Sequence, residues 1–114
     1  MNAKKQYIVD ALNARTDGAS LCADFQGDHT NPHIVTTLYY PDQNIQEEFP
    51  LPDDISCTLK EITLDVLGYY EPNWSGFGTL FLDPISKNIE FSYYEKGTDH
   101  VRCYATSFDE WVKN

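Results

Sequence analysis

The sequence predicts an α+β domain: a mostly antiparallel sheet of about five or six strands with helices on one face. Three observations lead there. Apolar residues recur at helical spacing near the start, in the middle and at the end of the chain, and they alternate with polar residues in between. The alternating stretches are joined by short turn-forming segments, as hairpins require. The 114 residues, 41% hydrophobic and 14% aromatic, suffice for one core only, so residues 1–114 are expected to form a single domain. The expected element order is α-β-β-β-α-β-β-β-α.

The first helix spans residues 3–14, with Tyr7, Ile8, Ala11 and Leu12 on one stripe and Gly18 beyond it as a stop. In "SLCADFQ" Leu21, Ala23 and Phe25 point one way and Cys22 and Asp24 the other, which is a strand. "GDHTNPH" has the glycine, proline and Asx content of a turn or short loop. Residues 34–49 read as a hairpin: "IVTTLYY", the turn "PDQN", then "IQEEF". Ile55, Leu59, Ile62 and Val66 form the stripe of a second helix over residues 55–67. Asp53 or Asp54 is its expected cap, and Gly68 its expected end.

The later strands are "FGTLFLD", "NIEFSYYE" and "HVRCYAT", separated by "PISK" and by a turn at Gly97. "SFDEW" has the Ser-x-x-Glu spacing of a capping box, with Phe108, Trp111 and Val112 as the apolar face of a last helix. Between the second helix and the next strand lies the densest stretch, "LGYYEPNWSGFGTLFLDP", with three glycines, two prolines and five aromatics. Its "SGFG" lacks the GK[S/T] ending of a phosphate loop and opens a strand, not a helix. The plain reading is a helix-to-strand corner folded over the core edge. The functional reading makes Tyr69, Tyr70 and Trp74 loop-borne interface anchors.

Charge narrows the function classes. The formal net charge is −10, and the whole surplus lies between Asp17 and Glu71, where eleven acids face a single base, Lys60. Such a field repels nucleic-acid phosphates and favours basic partners. The bland alternative is a solubilising surface. No apolar run reaches the length of a membrane span, and the first residues lack the features of a signal peptide. Cys22, Cys57 and Cys103 are odd in number and form no CxxC pair, so reduced, buried thiols in a cytoplasmic protein are expected.

The Gly27-Asp28 pair after the first strand and the Gly68-aromatic…Asn73…Gly76-x-Gly78 corner after a helix resemble a family of small uncharacterised bacterial domains, over roughly residues 20–95. "GDHTNPH" departs from that family in lacking its Ser-Gly continuation. The family carries no established chemistry, so the resemblance implies the order of elements and assigns no site residue. By type, a small acidic, aromatic-rich α+β chain is similar to bacterial immunity proteins and to phage anti-defence inhibitors.

An enzyme is the weaker expectation. Asp24, Asp28, His29 and His33 could gather around a metal for hydrolysis only from a loop, because Gly27 and Asn31-Pro32 rule out the helix that two histidines four apart would need. His100 and Cys103, three apart on a strand, face opposite sides, and adjoining Glu47 and Glu48 do likewise. No catalytic residue, metal or cofactor is therefore expected. Binding fits better, through Tyr39, Tyr40, Asp42, Glu47, Glu48, Asp53, Asp54, Tyr69, Tyr70 and Trp74. The expected activity is that of a cytoplasmic inhibitor blocking a basic partner, either a toxin or a nucleic-acid-binding effector such as a CRISPR complex. The alternative is a small metal-dependent hydrolase. Neither direct nucleic-acid binding nor membrane association is expected.

Overall fold

A computed structural model describes residues 2–15, 17–40 and 51–113. Its elements are α1 (Ala3–Asn13), β1 (Ser20–Asp28), β2 (Asn31–Tyr39), α2 (Asp53–Tyr70), β3 (Ser75–Asp83), β4 (Asn88–Glu95), β5 (Val101–Ser107) and α3 (Phe108–Lys113). The strands form one antiparallel sheet in the order β2-β1-β3-β4-β5. This is the α+β fold the alternation predicts. The strand expected at residues 45–49 lies outside the described residues.

The first hairpin differs from expectation. "GDHTNPH" does hold the expected turn, but only at His29 and Thr30; β1 runs to Asp28 and β2 starts at Asn31, so the rest of the stretch is strand. The cause is local. The Asp28 carboxylate accepts the backbone N–H groups of Thr30 (2.9 Å) and Asn31 (2.8 Å), which closes the turn in two residues. Gly27 next to it adopts φ +108°, and a Cβ there would run into the Asn31 carbonyl. Pro32 is tolerated inside β2 because β2 is an edge strand.

Each helix start has its own chemistry. Asn2 caps α1 by accepting from the N–H groups of Lys4 and Lys5. Its buried stripe is Ile8, Val9 and Leu12, rotated so that Tyr7 is exposed. Pro52, not Asp53 or Asp54, precedes α2; the two aspartates occupy the first turn, where their charge suits the helix dipole. α2 continues through Gly68 to Tyr70. A glycine in a helix costs about 1 kcal/mol, and here Tyr70 offsets it by stacking on Tyr104 and Phe91. Pro72 then prevents further helix. At α3 the Ser107 hydroxyl accepts the Glu110 N–H at 3.2 Å, one half of the expected capping box.

One sheet face supplies the core. Leu21, Ala23, Phe25, Leu38, Leu80, Leu82, Ile89, Phe91 and Tyr93 bury against Leu59, Ile62, Val66 and Leu67 of α2 and against the apolar residues of α1 and α3. At its centre, Phe25 packs edge-on to Trp74 (centroids 5.7 Å apart) and stacks on Phe91 (5.6 Å) and Tyr93 (6.5 Å). Gly78 faces Phe25 across the β1–β3 pair, and a Cβ there would meet both the Phe25 ring and the Ser92 carbonyl. "SGFG" therefore opens β3 with small residues so that an aromatic core can close over it. No helix among the described residues is long and apolar enough to cross a membrane.

Candidate functional site

Among the described residues no helix lies on the opposite face of the sheet, whose composition follows from the register. Three rows cross the strands there: Thr37–Cys22–Phe81–Glu90–Ala105, Val35–Asp24–Thr79–Ser92–Cys103, and His33–Gln26–Phe77–Tyr94–Val101. In the third row Phe77 and Tyr94 stack face to face, 5.0 Å between centroids and 5° between planes. Both are in solvent, Phe77 at 56% and Tyr94 at 40% exposure, with Val101 beside them at 52%. In the first row Phe81 meets Tyr39 edge-on at 6.1 Å. Two aromatic ridges thus flank a shallow trough with a floor of Thr79 and Ser92. Asp24 lies in it, accepting the Thr79 hydroxyl at 2.8 Å, and exposed Glu90 stands beside Phe81.

A second depression, a cleft of about 540 Å³, opens on the helical side between α2, β5 and α3. Tyr70 stacks on Tyr104 at 4.3 Å, Tyr69 sets its edge on Tyr70, and the Lys5 ammonium sits 5.1 Å above the Trp111 ring. Burial lowers the Lys5 pKa.

The expected contact residues do not form one patch. Asp42, Glu47 and Glu48 lie outside the described residues. Asp53 and Asp54 sit at one end of α2 and Tyr69 and Tyr70 at the other, about 25 Å away at the helical rise. Tyr39 belongs to the helix-free face. Tyr40 is half-buried, its hydroxyl bonded to Asp17 and Arg15. Trp74 corrects its expected role: only 4% exposed, it is a core residue held by Phe25, not a surface anchor. Its backbone explains why, for its N–H bonds to the Glu71 carbonyl and its carbonyl to the His29 N–H, folding the corner inward.

Much of the acid surplus is also engaged within the fold. Arg15, followed by the Ala19 N–H, holds the Asp17 carboxyl down at about 2. Glu61 pairs with Lys4, Glu71 with Arg102, and Asp54 with the Tyr7 hydroxyl, which lowers the Asp54 pKa. Asp28 is held below its ordinary value by the Thr30 hydroxyl and the turn N–H groups. Among the described residues no three His, Cys, Asp or Glu side chains gather closely enough to hold a metal ion. The set Asp24, Asp28, His29 and His33 is accordingly dispersed: Asp24 turns to Thr79, Asp28 into its own turn, and both histidines are exposed.

The cysteines are free, but only Cys22 is buried; Cys57 and Cys103 are exposed, contrary to expectation. Burial, reinforced by the Asp24 carboxylate, pushes the Cys22 thiol up to about 12. In a thiol titration of native protein at mildly alkaline pH, Cys57 and Cys103 are expected to react quickly and Cys22 only on unfolding. Rapid reaction of Cys22 in the folded state would contradict the packing of β1 between β2 and β3.

Comparison with protein-family models, with curated proteins and with solved structures finds no match to this chain. The functional reading therefore rests on its own residues. Phe77, Phe81 and Tyr94 escape a reading that looks for anchors in loops. The signal for them is the strict alternation of β3, which puts Phe77 and Phe81 on the face opposite Gly78, Leu80 and Leu82.

Proposed function

We propose that the chain is a small acidic inhibitor that binds a basic macromolecular partner and blocks it by stoichiometric protein–protein contact. The observation that carries this reading is the pairing of a −10 net charge with a sheet face that no helix among the described residues covers and that exposes Phe77, Tyr94 and Val101. Exposed aromatics supply the area and anchoring of an interface, and carboxylates supply its field. Acids displayed in this way occupy a nucleic-acid-binding site where phosphates would lie. Two biological settings need that property: immunity to a toxin, and phage inhibition of a nucleic-acid-guided defence effector. Three free thiols suit the reducing cytoplasm in which either would act.

The test is capture from a native host lysate, followed by reconstitution of the captured protein with the pure chain. The expected result is a complex of fixed stoichiometry with a basic protein whose activity the chain abolishes at equimolar amount. A partner of acidic character, or inhibition that needs catalytic rather than equimolar amounts of the chain, would count against it.

A further inference from the structure

The geometry points to an α-helix of the basic partner, about 13 residues long, lying across the strands in the trough between the Phe81 and Phe77–Tyr94 ridges; this rests on the inhibitor reading above. Dimensions support it first. Phe77 and Phe81 are four residues apart on β3, as are Glu90 and Tyr94 on β4, so the ridges stand about 13 Å apart at the strand rise. A helix with its side chains is about 10–12 Å across, so its backbone rides over the two ridges and one row of its side chains fills the space between them. The floor runs from Val35 on β2 to Cys103 on β5, four inter-strand steps or about 19 Å, which a helix covers in about 13 residues.

Chemistry supports it next. The floor between the ridges is made of small side chains, Thr79 and Ser92, so side chains of an incoming helix can descend between the aromatic walls. The three cross-strand rows contain Asp24 and Glu90 and no lysine or arginine, and their one imidazole, His33, stands at the outer β2 end of the third row. The docked segment's apolar residues would lie on Phe77, Phe81 and Tyr94 and its lysines or arginines on Asp24 and Glu90. A nucleic acid is disfavoured by the same charges. The opposite face of this sheet already packs helices, so the partner would complete a second helical layer.

The experiment uses the full chain, isotope-labelled, titrated with an amphipathic leucine–lysine peptide of about 14 residues that is helical in water. Controls are a proline-interrupted peptide of the same composition and a leucine–glutamate counterpart. Expected are amide shifts concentrated on Phe77, Thr79, Phe81, Glu90, Ser92 and Tyr94, and no binding of either control. Phe77→Ala with Tyr94→Ala should weaken binding about tenfold or more. Both side chains are exposed, so the fold should persist by circular dichroism, and Glu90→Gln, which keeps shape and removes charge, should weaken binding severalfold and less at high salt.

Shifts confined to the Tyr70–Trp111 cleft or the start of α2 would overturn the trough while leaving a basic partner in place. Equal binding of the glutamate peptide, or no binding of the lysine peptide, would overturn both. Shifts of the trough that grow with protein concentration in the absence of peptide would show a second copy as its occupant, and would also overturn the proposal.

Discussion

Replacing Phe25 by alanine is expected to destabilise the fold by about 3–5 kcal/mol, the range for truncating a fully buried aromatic. Total stability of a domain of this size is about 5–15 kcal/mol, so the variant should be marginal or unfolded at room temperature. The reason is position. Phe25 is 2% exposed, touches Trp74, Phe91 and Tyr93, and covers the space that Gly78 leaves on β3. Its loss opens a cavity whose far wall is a glycine backbone unable to fill it. A urea melt compares the variant with the parent chain, and a shift below about 1 kcal/mol would contradict this arrangement of the core.

The second large effect is on α2. Ile62 is 1% exposed and faces the sheet between Leu59 and Val66, so Ile62→Ala should cost about 2–5 kcal/mol. Leu64, two residues on, is on the solvent side of the same helix. Leu64→Ala should therefore stay within about 0.5 kcal/mol and serves as the internal control. Equal losses at both positions would mean that the helix presents a different face to the sheet.

The stripe Ile55, Leu59, Ile62 and Val66 was legible because a helix repeats its buried face at a spacing that sequence displays directly. The strand alternation was legible for the same reason. Helix ends were less so: Gly68 reads as a stop, yet ring stacking by Tyr70 on Tyr104 and Phe91, residues far along the chain, extends α2 by a turn. Trp74 was misread because its place is set by hydrogen bonds to the Glu71 carbonyl and from the His29 N–H, neither visible in a residue pattern. The candidate site was the least legible part. Alternation says that β3 and β4 have two faces, but whether a helix covers the second face is a matter of chain topology. Only once the three helices of the described residues are found on one side do Phe77 and Tyr94 become exposed and Phe81 half-exposed beside Asp24 and Glu90.

Charge has a consequence in kinetics that a solubilising coat would not share. Exposed carboxylates that face a basic partner raise the rate of encounter, whereas apolar anchors mainly set the rate of departure. The most direct measurement is therefore the association rate of the chain with its captured partner, at low salt and at about 1 M, where the field reaches only about 3 Å. The prediction is a steep fall with salt, and a slower low-salt rate for Glu90→Lys that converges on the parent value at high salt. An association rate indifferent to both salt and the Glu90 reversal would contradict recognition of a basic partner through this face.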